Sequence, residues 1–370
     1  MTSPAPLVEL TALGVSIWLD DLDRHRIDSG GLAQLVDTRC VRGVTTNPSI
    51  FEKAISGGAA AYAADLATLS AAGADVDSAI RRLTTDDVRA ACDVLYEVWV
   101  ASGHVDGRVS IEVDPRLADD TEATIAQARS LWSTVDRPNA LIKIPATKAG
   151  LPAITATIAA GISVNVTLIF AVERYLEVVS AFEEGLQQAA AAGRDLAAIH
   201  SVASFFVGRV DVEVDARLDA LGTDESAALR GRAAIANARL AWAAHIASLA
   251  TPAWLALADQ GAHPQRPLWA STGVKDRAYL DTRYVIDLAV DGCVNTVPEP
   301  TLEAVADHGL VLGDTVTGMA IESAAVWQDL ARLGINESEV CEKLEVEGVA
   351  KFIDSWESLR STVARVLDAT

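Results

Sequence analysis

Short apolar runs alternate with longer amphipathic stretches along most of the chain. The short runs predict strands at Val15–Asp21, Val41–Thr46, Arg108–Val113, Ala140–Pro145, Ile162–Phe170, Ile199–Ala203, Pro267–Ser271 and Gly292–Thr296. Between them the helical period predicts helices near Leu32–Val36, from Ser49, over Asp77–Ser102, Asp120–Ser133, Leu151–Ala160, Glu173–Ala192 and about Glu225–Ala250; Tyr284–Leu288 reads as the start of another, with two more at the C-terminus. Gly57–Gly73 is rich in Ala and Gly and reads as helical. Leu151–Val172 carries no charge and is long enough to suggest a membrane span. Its Pro152, Gly161, Ser163, Asn165 and threonines favour a helix, a glycine stop and a buried strand instead.

Strand–helix alternation with about eight strands is the pattern of a parallel α/β protein. A doubly wound sheet buries both faces of its strands and reads as continuous apolar runs. Here several strands carry one polar face: Ser110 with Glu112, and Ser163 with Asn165 and Thr167. One face turned into a closed interior, with polar groups gathered at one mouth, fits a (β/α)8 TIM barrel with additional helices. No G-x-G-x-x-G follows the first strand and no P-loop motif is present, so the nucleotide folds lack their signal. No low-complexity linker divides the chain, and residues 1–370 are expected to form a single barrel domain with helical insertions and C-terminal helices.

Composition narrows the partners. Half of the residues are hydrophobic, which allows a large core, and the net charge is −21. That charge speaks against nucleic acid or a membrane surface as partner, and an anionic substrate would need a locally basic pocket. Cys40, Cys92, Cys293 and Cys341 are widely separated, and no histidine lies at metal-ligand spacing from another His or Cys. Reduced thiols, no metal, no cofactor and a cytoplasmic location are expected, the N-terminus lacking a basic region followed by an apolar one.

The chemistry centres on A-L-I-K-I-P (140–145), an apolar strand interrupted by one lysine. Burial favours a neutral amine, which is what attack on a carbonyl to form a Schiff base requires. A lysine at a strand end with its head in water is the alternative. If the strands close a barrel, Asp20, Asn47, Glu112, Lys143, Asn165, Thr167, Ser204 and Ser271 meet at the C-terminal mouth. One amine, two carboxylates, two amides and several hydroxyls suit covalent amine catalysis on a hydroxylated carbonyl compound. Glu112 and Thr167 could hold a water and Asp20 could take a proton from a substrate hydroxyl, while Arg209 and Lys275, in loops after strands, could join Ser271 on a phosphate. Two surface cations in loops is the plainer alternative.

These residues lie in recognisable motifs. V-T-T-N-P-S-I-F (44–51), V-S-I-E-V-D-P-R-L (109–117), L-I-K-I-P-A-T (141–147), V-N-V-T-L-I-F (164–170) and S-F-F-V-G-R-V-D (204–211) resemble transaldolase motifs, in this order. W-A-S-T-G-V-K (269–275) and V-N-T-V-P-E-P-T-L (294–302) look like the longer bacterial form of that family. The resemblance implies a class I aldolase barrel that transfers a dihydroxyacetone unit in the pentose phosphate pathway. The donor would be sedoheptulose 7-phosphate or fructose 6-phosphate, and the acceptor glyceraldehyde 3-phosphate or erythrose 4-phosphate. It makes Lys143 the Schiff-base residue, Asp20 the acid/base, and Glu112 with Thr167 the holders of the catalytic water. Asn47 and Asn165 would bind the dihydroxyacetone hydroxyls, and Ser204, Arg209 and Ser271 would face the substrate and its phosphate. Sugar phosphates are then the partners, with a monomer or homodimer as the assembly.

The chain departs from the family in two places. Shorter members carry an arginine where Gly273 stands, so Lys275 is the substitute cation. Asp21 adjoins Asp20, which is favoured because it continues the Ile17–Asp20 run. A fructose-6-phosphate aldolase is the nearest rival by resemblance, but those aldolases tend to carry Gln where Glu112 stands and Tyr where Phe206 stands. A non-catalytic sugar-phosphate-binding barrel would keep Arg209, Ser271 and Lys275 without needing the amine.

Overall fold

The computed structural model of the chain describes residues 3–369. Its eight strands are β1 (Ser16–Leu19), β2 (Val41–Val44), β3 (Arg108–Glu112), β4 (Ala140–Pro145), β5 (Val164–Ile169), β6 (Ser201–Phe206), β7 (Arg266–Ala270) and β8 (Val294–Val297). They pair in parallel in sequence order, and β8 closes on β1. The expected (β/α)8 barrel is therefore the architecture, with helices outside it and further helices added. In the register of β3, β4 and β5, Glu112 lies beside Lys143 and Lys143 beside Asn165.

Along β3, Arg108, Ser110 and Glu112 follow the alternation of a strand and share one face, turned into the barrel. They mark its bottom, middle and top. In the middle, the Trp18 ring fills the space that Gly43 leaves open: a Cβ on Gly43 would lie 2.5 Å from that ring. The glycine in V-R-G-V is thus a packing requirement of the interior. The uncharged run Leu151–Val172 resolves as expected, into the helix Gly150–Ala159, a left-handed Gly161 (φ +81°) and β5. No single helix among the described residues is long and apolar enough to cross a membrane.

Several predicted elements are revised. The stretch Asp77–Ser102 is two helices, Val76–Val94 and Tyr96–Ala101, broken at Leu95. Glu225–Ala250 is also two, Asp224–Leu229 and Ala233–Leu249, parted by Gly231 at φ +66°. β6 lies later than Ile199–Ala203, and its last residues are Ser204, Phe205 and Phe206. The helix that follows it, Gly208–Leu221, is hidden in the sequence because V-D-V-E-V-D alternates like a strand. Tertiary contacts override that pattern. Asp211 accepts from the Ala234 N–H and the Tyr284 hydroxyl, and Asp215 from the Gly231 N–H and the Tyr279 hydroxyl. Residues four apart lie one turn apart on one face of a helix, so Asp211 and Asp215 meet these partners side by side. At its start, a Cβ on Gly208 would lie 2.6 Å from the Ser271 carbonyl oxygen, which accepts from the Gly208 N–H.

Beyond β8 there are three helices rather than two: Glu299–His308, Ala320–Arg332 and Glu337–Ala369. The last runs 33 residues across the C-terminal mouth of the barrel. It is tied down by Ser355 to Ser49, by Arg360 to Asp77, and by Gly348, whose ideal Cβ position is 3.0 Å from Leu168. The four cysteines are free and buried.

Candidate active site

The mouth covered by the last helix holds a cavity of about 190 Å³. Lys143 reaches it from the middle of β4, where flanking Leu141, Ile142 and Ile144 are buried and hold the strand inside the barrel. The residue is only 4% exposed, so its head is not in bulk water. Nζ lies 3.2 Å from Glu112 Oε2 and donates to the Thr46 carbonyl at 3.1 Å. The Phe352 ring, from the last helix, sits 5.7 Å from Nζ and closes the cavity from above.

Glu112 is buried at the end of β3 and, among the described residues, has no partner besides Lys143 within hydrogen-bonding distance. Burial pushes its carboxyl up to about 7, with Lys143 opposing the shift and the Asp20 charge adding to it. The Thr167 hydroxyl is also buried and has no hydrogen-bond partner among the described residues. Thr167 ends the regular part of β5: the pairing with β6 shifts between Val166 and Ile169, and Leu168 is left-handed at φ +60°. Glu112 beside the amine, and Thr167 two residues beyond Asn165, the register partner of Lys143, keep unspent hydrogen-bonding capacity suited to hold a reactant or water, though neither lines the cavity as Asp20 does.

Asp20 and Asp21 separate cleanly. Asp20 lines the cavity and accepts from Thr45 Oγ1 at 2.7 Å. Asp21 turns away and accepts from Arg26 at 3.0 Å. Thr296 Oγ1 is 2.6 Å from Thr45 Oγ1, and since the Thr45 hydrogen is spent on Asp20, Thr296 is the donor of that bond. Burial raises the Asp20 carboxyl above its ordinary range; the Lys143 charge and the Thr45 hydrogen bond work against it.

The predicted amides differ in position. Asn47 lines the cavity and caps the helix Pro48–Gly57 through its Oδ1, accepting from the Ile50 N–H at 3.0 Å. Its amide NH₂ has no partner among the described residues and is free to donate. Asn165 sits deeper: it donates to Ser110 Oγ at 2.9 Å and accepts from Ser204 Oγ at 2.7 Å, and it is not among the cavity-lining residues. It braces Ser204, which does line the cavity.

At the far side of the cavity stand Phe206, Arg209, Ser271 and Lys275. Arg209 forms no hydrogen bond or ion pair among the described residues; its guanidinium carbon is 5.3 Å from the Phe206 ring and 6.0 Å from that of Phe352. Burial lowers its pKa, against the charges of Asp20 and Glu112. Ser271 is left-handed at φ +58° and lends its carbonyl to Gly208. Thr45, Thr296, Lys351 and Phe352 were not foreseen. Lys351 has its pKa lowered by the Arg209 charge, then by burial, then by Lys275, which makes a third cation at this end. Thr45 is the first residue of T-T-N-P and Thr296 lies in V-N-T-V-P-E-P, so both stand in quoted motifs, whereas Phe352 and Lys351 lie in an amphipathic helix that carries no local sign of a site. Among the described residues, no group of three His, Cys, Asp or Glu could hold a metal ion.

The model of the family described as transaldolase/fructose-6-phosphate aldolase matches residues 17–363. A transaldolase of Mycolicibacterium paratuberculosis is 58% identical over 369 residues, 99% of either chain. Transaldolase 1 of Streptomyces coelicolor is 60% identical over 363 residues, 98% of this chain and 95% of that one. A transaldolase of Mycobacterium tuberculosis is 57% identical over 370 residues, all of this chain and 99% of that one. With its barrel, its lysine strand and a match over nearly its whole length, this chain belongs to the transaldolase/fructose-6-phosphate aldolase family.

Proposed function

We propose that this chain is a transaldolase that carries a dihydroxyacetone unit from a ketose phosphate to an aldose phosphate through a Schiff base on Lys143. The observation that carries this reading is the buried Lys143 amine 3.2 Å from Glu112 in a cavity that also holds Asp20 and the unpaired Arg209.

Attack on the ketose C2 requires Lys143 to give up a proton, and Glu112, its carboxyl pushed up to about 7, is the adjacent acceptor. The carbinolamine hydroxyl leaves as water once protonated by Glu112, with Thr167 as a second partner for that water. Asp20 then takes the proton of the C4 hydroxyl. The C3–C4 bond breaks, its electron pair moves toward the iminium to form an enamine, and an aldose phosphate departs. The enamine carbon attacks the acceptor aldehyde, Asp20 returns its proton to the new alkoxide, and water hydrolyses the imine. Thr45 and Thr296 hold Asp20 in place through hydrogen bonds. Asn47 donates to the dihydroxyacetone hydroxyls, with Asn165 acting through Ser204. Arg209, Ser271 and Lys275 receive the phosphate, beside the N-terminus of the helix Gly208–Leu221.

Transfer is favoured over simple aldol release because the enamine must outlive the departure of the first product. No tyrosine or histidine is among the described residues lining the cavity, and Phe206 brings no hydroxyl, so a proton donor for the enamine is scarce. The decisive experiment follows product formation from fructose 6-phosphate with and without erythrose 4-phosphate, together with borohydride trapping and mass spectrometry. Acceptor-dependent turnover and a covalent adduct on Lys143, absent from Lys143→Ala, are expected. Free dihydroxyacetone released at the same rate without acceptor would make it an aldolase, and no adduct on any lysine would leave only a binding protein.

A further inference from the structure

The opposite end of the barrel contains a second cavity, of about 400 Å³, within the range of small-molecule sites. It lies between the strand beginnings and the helix Ala233–Leu249. Arg108, the first residue of β3, lines it, and its guanidinium is buried at 2% exposure. Nε and Nη2 donate to the His104 carbonyl at 3.1 and 2.6 Å, while Nη1 has no partner among the described residues. Arg108 also forms no ion pair among the described residues. Asp106, whose charge reaches it, is already taken by Arg266 at 2.9 Å and by Ser16 at 2.6 Å. Arg266 in turn is spent on Asp106, Ser16 and the Gly292 carbonyl.

A buried guanidinium without a counterion is costly, and an anion reaching it would relieve that cost. Two further buried polar atoms in the cavity are also unpartnered, His200 Nε2 and Trp242 Nε1. The His200 ring stacks on His263 at 4.5 Å between centroids, and Trp242, Ile246 and Leu249 make the outer wall apolar. Depth orders these groups: Ile246 is 49% exposed at the entrance whereas Arg108, 2% exposed, lines the deep end of the cavity. The exposed Asp291 at the rim opposes multiply charged ligands, and only one guanidinium is uncommitted. We propose that this cavity is a second binding site, for a small monocarboxylate with an apolar body, its carboxylate on Arg108 and Trp242 and its body against the outer wall. None of the residues proposed for catalysis takes part in it.

The test is titration calorimetry of the whole protein with 3-phenylpropionate as probe, alone and with saturating fructose 6-phosphate. One equivalent should bind in both cases. Ile246→Trp fills the outer wall without touching the barrel interior. It should weaken binding at least tenfold and leave transfer activity unchanged. Arg108→Met should abolish binding, and Arg108→Lys should restore part of it; loss of one charge-assisted hydrogen bond corresponds to about tenfold or more. Ile246→Trp decides the matter if Arg108→Met does not fold. No saturable heat up to about 10 mM, equal affinity in Ile246→Trp, or competition by fructose 6-phosphate would each overturn the assignment. Inorganic phosphate binding more tightly than the carboxylate would overturn the ligand class.

Discussion

Glu112→Gln isolates the electrostatics of the Schiff-base site, because glutamine keeps the shape and removes the titration. Burial moves the Glu112 carboxyl from 4.5 to about 7 in the folded chain. A folded-state pKa above the unfolded one gives stability that is complete below the unfolded value and is lost as pH rises through the folded one. Wild type should therefore lose stability relative to Glu112→Gln as pH rises from about 4.5 to above 7. With about 1.4 kcal/mol per pKa unit, the full effect is about 3 kcal/mol, of which about 2.5 kcal/mol falls between pH 5 and pH 8. Removing the partner of Lys143 adds a cost to the variant, but that cost is common to both conditions and cancels in the difference. Urea unfolding of both proteins at pH 5 and pH 8, followed by circular dichroism, gives the four free energies needed. The variant should gain on wild type by about 2.5 kcal/mol from the lower to the higher pH. A difference that does not change with pH, or that moves the other way, would refute the claim that desolvation dominates at Glu112.

Three other expectations follow from single contacts. Arg209→Ala should raise KM for fructose 6-phosphate about tenfold or more while leaving affinity for free dihydroxyacetone almost unchanged; equal losses would remove Arg209 from the phosphate. Thr45→Val deletes the 2.7 Å hydrogen bond that stabilises ionised Asp20, so the acid limb of kcat should move to higher pH. A pH–rate profile that keeps its limb in place would show that Asp20 is not the titrating acid/base. Gly43→Ala places a methyl 2.5 Å from the Trp18 ring and should cost about 1–3 kcal/mol of stability, read as a lower thermal midpoint with the family fold retained by circular dichroism; a gain in stability would mean that the interior yields there.

Some of this molecule could be read along the chain because the relevant physics is local. Strand alternation placed Ser110 with Glu112 and set Lys143 among apolar neighbours, and that polar face distinguished a closed barrel from an open sheet. The uncharged stretch after Leu151 parsed correctly because Gly161 marks the turn between helix and strand. The helix Gly208–Leu221 escaped because its valines alternate with acids, and only the distant Tyr284, Tyr279 and Ala234 make a helix of them. The breaks at Leu95 and Gly231 fall inside long stretches of continuous helical composition, which hide a single interrupted turn.

The chain by itself determined the alternation of elements, the lysine strand and the inventory of polar groups at the strand ends, since each follows from periodicity and residue chemistry within a few neighbours. Only the tertiary structure decided which groups act together. It put Asp20 in the cavity and tied Asp21 to Arg26, sank Asn165 beneath Ser204, and brought Phe352 over Lys143 from the far end of the sequence. It also left Arg108 without a counterion at the other mouth. Burial and pairing depend on what every other element contributes to a given point in space, and no local pattern contains that sum.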